Sequence, residues 1–78
     1  MDREKIIAKV QEIFKDILDE EEIELKDNTT ANDVDNWDSL THILLVVAIE
    51  KAFKIKFTSK EILSWKNVGE MIDSIQAK

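Results

Sequence analysis

No cysteine occurs in the 78 residues, which excludes a disulfide framework, a thiolate nucleophile and any cysteine-based metal site. Proline is absent too, and Gly69 is the sole glycine. A many-turned β-protein needs more of both, so this composition suits helices. No apolar run is long enough to span a bilayer, and no charged-then-apolar leader opens the chain. The expectation is a soluble, cytoplasmic chain that does not insert into membranes. The length sits near the lower limit for a core that folds unaided, and small domains without staples rely on well-packed helices. Residues 1–78 therefore read as one domain, expected to act as a monomer.

What is abundant is acid, and it is unevenly placed. The net charge is −6. Residues 1–35 hold twelve acids against five bases, whereas residues 36–78 hold five acids against six bases. The acidic half repels phosphate backbones, so nucleic acid is not an expected partner.

Residues 3–18 read as an amphipathic helix. Ile6, Val10, Ile13 and Ile17 recur at helical spacing beside Ile7, Phe14 and Leu18, with Asp2 as N-cap. A long connection follows over residues 19–38. It starts with four consecutive acids, then alternates so that Ile23 and Leu25 can tuck inward. Asp27 to Thr30 is turn chemistry, and Thr30 to Asp33 can cap one helical turn. Loops this long in a small domain are often functional. A calcium hand fails here, because Trp37 would stand at a ligand position and Asp38 at the required glycine. No metal is expected.

Residues 39–53 predict a second helix. Leu40, Ile43, Leu44, Val47 and Ala48 form one stripe, and Leu45, Val46, Ile49 and Ala52 extend it almost round the helix. Such a helix is either the buried centre of a bundle or also offers an apolar face to a partner. Lys54 to Phe57 alternates and reads as an extended connector with Ile55 and Phe57 turned inward. Thr58 and Glu61 have the spacing of a capping box for a short helix. Asn67 opens a last helix with Val68, Met71, Ile72 and Ile75 on one face. The predicted fold is all-α: a small bundle of three main helices and one short helix, with a long loop after the first.

The stretch Asn36-Trp37-Asp38-Ser39-Leu40 stands where that loop meets the apolar helix. Asp38 or Ser39 can be a plain N-cap, or the Ser39 hydroxyl can be presented outward for modification. A Ser–His hydrolase does not fit: His42 is the only histidine, and there is no Gly-x-Ser-x-Gly elbow.

Taken together, these features resemble the acyl carrier protein family. The resemblance rests on Asp38-Ser39-Leu40 heading an apolar helix, the acidic loop before it, Ala48-Ile49-Glu50-Lys51-Ala52-Phe53 at the helix end, the Ile55-Lys56-Phe57 connector, and the short helix leading to Asn67-Val68. It implies that Ser39 is esterified by 4′-phosphopantetheine from coenzyme A, with Asp38 beside it. It also implies a carrier rather than an enzyme, serving a phosphopantetheinyl transferase, an acyl-loading ligase and acyl-transferring enzymes. Without cysteine, the thiol that holds an acyl group must be imported, and a tethered arm raises the cargo's effective concentration at a partner's active site.

Departures from the common pattern point to partners. Fatty-acid carriers usually place acids two and five residues after the serine, where this chain has Thr41 and Leu44. Lys54, Lys56 and Lys60 stand where acids are usual. Charge complementarity sets partner choice, so a specialised free-standing carrier is expected, for secondary metabolites, polysaccharides or modified lipids. Its partners would read Trp37, Leu40, Thr41, His42, Leu44 and Lys60. His42, one turn after Ser39, is either a contact for the arm or partner or an ordinary surface histidine. Trp65 replaces a smaller residue, so it is expected to sit in the core and to limit shelter for long acyl chains. The alternatives are an aminoacyl or peptidyl carrier of the nonribosomal type, and a helical interaction module with no covalent cargo.

Overall fold

The computed structural model describes residues 2–78. Four helices account for its order: α1 Arg3–Leu18, α2 Ser39–Phe53, α3 Ser59–Ser64 and α4 Val68–Gln76, with one 3-10 turn at Ala31–Asp33 inside the long loop. No strand forms among the described residues.

Each helix begins at a side chain that accepts hydrogen bonds from free first-turn N–H groups. Asp2 accepts from Glu4 N–H, Asp38 from Leu40 and Thr41, Thr58 from Glu61, and Asn67 from Glu70. Thr30 and Asp33 box the 3-10 turn in the same way. The two longest helices end on left-handed residues, Asp19 (φ 55°) and Lys54 (φ 57°), where glycine would be usual.

Burial follows a slightly different stripe of α1 from the expected one. Ile6, Val10, Phe14 and Leu18 are sealed, four residues apart, while Ile13 and Ile17 pack at its margin. The larger Phe14 takes the centre. Opposite it lie Leu45 and Ile49 of α2 and Val68, Met71, Ile72 and Ile75 of α4. Ile23 and Leu25 of the loop also turn inward as predicted, and Leu25 N–H donates to Gln11 Oε1 at 2.8 Å. Ile55 and Phe57 pack against the same core from the connector.

α2 is not the buried centre. Only Leu45, Val46 and Ile49 are buried, while Leu40, Ile43, Leu44 and Val47, most of the expected stripe, face outward at 72%, 61%, 49% and 43% exposure. The helix is apolar on both sides: one side meets the core, and the other is exposed among the described residues.

The long loop is held by backbone, not by size. Val68 N–H donates to Thr29 O and Gly69 N–H to Asp27 O, both at 2.8 Å. These two bonds satisfy free N–H groups at the start of α4 and pin the loop to it. Glycine at 69 permits the approach, since a Cβ there would lie 2.8 Å from the Asp27 carbonyl oxygen. Arg3 strengthens the same corner, bridging Asp73 (2.7 Å) and Asp27 (2.9 Å). So the loop reaches α2 from a fixed anchor.

Candidate functional site

The start of α2 is a closed hydrogen-bonded turn with one residue left out of it. Asp38 Oδ1 accepts from Leu40 N–H (3.0 Å) and Thr41 N–H (2.9 Å). In return, Thr41 Oγ1 accepts from Asp38 N–H (2.8 Å) and donates to Asn36 O (2.8 Å). Asn36 itself is left-handed (φ 68°), a conformation asparagine tolerates, and this turns the chain from the loop into the helix. The bonds accepted from Thr41 N–H and Leu40 N–H hold the Asp38 carboxyl below the usual carboxylate range. Of the two candidate caps, Asp38 is thus the N-cap.

Ser39 is the first helical residue and is exposed. The bonds that close the turn run through Asn36, Asp38 and Thr41 and do not engage its hydroxyl. An oxygen in this position can be esterified without breaking the cap. The positive end of α2 also favours a phosphate beside it. The side chains present therefore fit a phosphodiester on Ser39. Thr41, by contrast, has its hydroxyl committed inside the turn.

Beside Ser39 an open cleft of about 430 Å³ lies between the start of α2 and the α3 region. Ser39, Trp37, His42, Ile43, Leu63 and Trp65 are among its walls. Aromatic rings run from the core to this cleft. Trp37 meets Phe14 edge-on (centroids 4.9 Å), His42 lies nearly parallel to Trp37 (6.0 Å), Trp65 meets His42 edge-on (6.1 Å), and Phe57 meets Trp65 edge-on (4.8 Å).

His42 is therefore not an ordinary surface histidine. It is half-buried, and its Nδ1 accepts from Trp37 Nε1–H at 3.1 Å. That bond requires the neutral ring with its proton on Nε2. Burial pushes the imidazole below the usual histidine range. Trp65 is half-buried rather than sealed, with Nε1–H donating to Ser74 Oγ at 2.8 Å.

The structure thus gathers Trp37, Asp38, Ser39 and His42 on one cleft. Leu40 and Leu44 lie on the outward face of α2, and Lys60 stands exposed in the first turn of α3, outside the cleft. Sequence reasoning did not find the Trp37–His42 bond. Its only signal was an indole five residues before an imidazole, across an unpredicted left-handed turn. Among the described residues, no cluster of three or more metal-ligating side chains occurs, and no helix is long and apolar enough to cross a membrane.

The chain is similar to known proteins over nearly its whole length. A family model described as a phosphopantetheine attachment site matches residues 8–75. The chain is 32% identical over 78 residues to the acyl carrier protein of Coprothermobacter proteolyticus, covering 99% of this chain and 94% of that protein. It is also 32% identical over 75 residues to the acyl carrier protein of Rubrobacter xylanophilus, covering 96% and 93%. The solution NMR structure of the holo acyl carrier protein from Geobacter metallireducens superposes with a TM-score of 0.87 at 40% identity, covering 94% of this chain and 84% of that one.

Proposed function

Because this chain belongs to the acyl carrier protein family, whose model is that of a phosphopantetheine attachment site, we propose that Ser39 is the residue that takes the arm. The protein is a carrier and not an enzyme, and its prosthetic group is a covalently attached 4′-phosphopantetheine. When bound, the group supplies a thiol that holds acyl groups as thioesters. The chain's own residues do the rest. Asp38 and Thr41 hold the first turn of α2 rigid, and the loop anchored at Asp27 and Thr29 delivers Ser39 to the surface.

The observation that carries this reading is the exposed Ser39 hydroxyl, left out of the turn that Asp38 and Thr41 close. Residues 1–78 would act as one monomeric carrier domain in the cytoplasm, where coenzyme A and the transferase would meet it. The proposed partners are that transferase, an acyl-loading ligase and acyl-transferring enzymes of a specialised pathway. Supporting the last point, the exposed face of α2 offers the apolar Leu40, Ile43, Leu44 and Val47, with Leu44 at one of the positions where acids are usual, and Lys51, Lys54, Lys56 and Lys60 are exposed beyond it. Partners built for an acidic carrier would find neither charge nor complementarity there.

The test is direct. Incubation with coenzyme A, magnesium and a broad-specificity phosphopantetheinyl transferase should add the mass of one phosphopantetheinyl group, and Ser39→Ala should abolish the gain. A gain that survives Ser39→Ala would overturn the assignment. For the pathway, Leu44→Glu should improve loading of the holo protein by a housekeeping malonyl transferase. Wild-type loading at the rate of an ordinary fatty-acid carrier would contradict the specialised reading.

A further inference from the structure

We infer that His42 holds the phosphate of the arm: its Nε2–H donates to a phosphodiester oxygen on Ser39, and Trp37 is the positioning residue that aims it. The inference rests on Ser39 carrying the arm, and it assigns a further residue of this chain to that group.

Four observations carry it. First, the donor is fixed. His42 Nδ1 accepts from Trp37 Nε1–H at 3.1 Å, and a neutral imidazole that accepts at one nitrogen carries its proton on the other. Trp37 is itself held edge-on against Phe14 of the sealed core, and Trp65 meets the imidazole edge-on, so the ring is oriented by its neighbours. Second, the donor is free. Among the described residues Nε2 has no hydrogen-bond partner, and no buried side-chain nitrogen or oxygen lacks one, so Nε2 reaches solvent. Third, the donor and the serine share a site. Ser39 and His42 stand three residues apart in α2 and both line the cleft. Side chains on a helix lean toward its N-terminus. The bond to Trp37, two residues before Ser39, shows the His42 ring leaning that way. Fourth, backbone donors are in short supply. Leu40 N–H and Thr41 N–H are already turned to Asp38 Oδ1. An anion on Ser39 therefore gains from a side-chain donor, and a charge-assisted bond of this kind is stronger than a neutral one.

The experiment follows the imidazole nitrogens and the phosphorus by NMR across mild pH, in the full chain with and without the arm. His42 is the only histidine, and the arm brings the only phosphorus, so each signal reports one site. A phosphodiester keeps a single charge in this range, so movement of its phosphorus resonance reads a neighbour's titration. With the arm attached, His42 should titrate at a higher pH than without it, because a nearby anion favours the imidazolium. The phosphorus resonance should move with the same midpoint. His42→Leu should abolish that movement. His42→Gln, which keeps an N–H donor but does not titrate, should hold the phosphorus near its wild-type neutral-pH position at every pH. Trp37→Phe should leave a ring but release the tautomer, seen in the imidazole nitrogen shifts; an unchanged tautomer would overturn the positioning role. The other ionisable groups lining the cleft are Asp38 and Lys66. Asp38 already lies below the usual carboxylate range, and Lys66→Met should leave the phosphorus movement in place. Identical His42 titration with and without the arm would overturn the inference, and that comparison needs no variant to fold. Movement that survives His42→Leu, or is lost in Lys66→Met, would overturn it as well. No mass gain, or a gain on another serine, is a distinct result: it overturns the reading of Ser39, and this inference with it.

Discussion

Replacing Gly69 with alanine should unsettle the anchor that delivers Ser39, although alanine is the better helix former. The gain is at most about 1 kcal/mol in a helix interior, and less at the second residue of α4. Against it stands a Cβ that would lie 2.8 Å from Asp27 O, 3.1 Å from Asp27 Cβ and 3.3 Å from Asn67 Oδ1. The first contact is with backbone and cannot be relieved by a rotamer change. Either α4 or the loop must move, stretching the Gly69–Asp27 and Val68–Thr29 hydrogen bonds, both now 2.8 Å. Backbone shifts forced by overpacking cost about 1–3 kcal/mol. The net loss is then about 1–2 kcal/mol, which in a domain of this size lowers the melting temperature by roughly 5–15 °C. Thermal melts followed by far-UV circular dichroism would measure it, and amide exchange should show Val68 and Gly69 losing protection. A variant as stable as wild type, or more stable, would refute the close-approach reasoning.

Other expected outcomes follow from the same geometry. Lys54→Gly should stabilise by about 1 kcal/mol, because a left-handed residue ends α2 there; chemical denaturation checks it, and a loss of stability would contradict it. His42 has a folded pKa below its unfolded value, so the unfolded chain binds its proton first. Stability is then full above the unfolded value near 6.5 and declines as pH falls below it, and His42→Gln should flatten that slope in melts across the range. In the same direction, protonating His42 should break its bond with Trp37 and change tryptophan emission; emission unchanged down to mild acid would count against the bond. Arg3→Met should lower the melting temperature and weaken its salt dependence, since Arg3 bridges Asp27 and Asp73.

Much of this was legible because the signals were local. The caps at Asp2, Asp38, Thr58 and Asn67 depend on residues within a turn of one another, and the helix limits follow from them. The inward turn of Ile23 and Leu25 was visible as alternation. What could not be read was which side of α2 faces the core, because apolar residues nearly encircle it and periodicity then carries no direction. Only the packing against α1 puts Leu45 and Ile49 inside and Leu40, Ile43, Leu44 and Val47 outside. Nor could the sequence reveal the pairing of Trp37 with His42, which needs Asn36 in a left-handed turn. The cleft depends on Trp65 being held by Ser74, a bond across nine residues that no motif announces. Ser39 was singled out by the residues around it, whereas the shape of the space beside it was not legible there.

Ser39 is one of four serines, and Ser59 also opens a helix just after a capping residue. Ser59 heads a helix of six residues and does not line the cleft, whereas Ser39 heads one of fifteen and does. Fragment-resolved mass spectrometry of the wild-type protein, after reaction with coenzyme A and a transferase, distinguishes the four. The phosphopantetheinyl group should lie on Ser39 alone. Its appearance on Ser59, Ser64 or Ser74, or nowhere, would contradict the assignment on which the carrier mechanism rests.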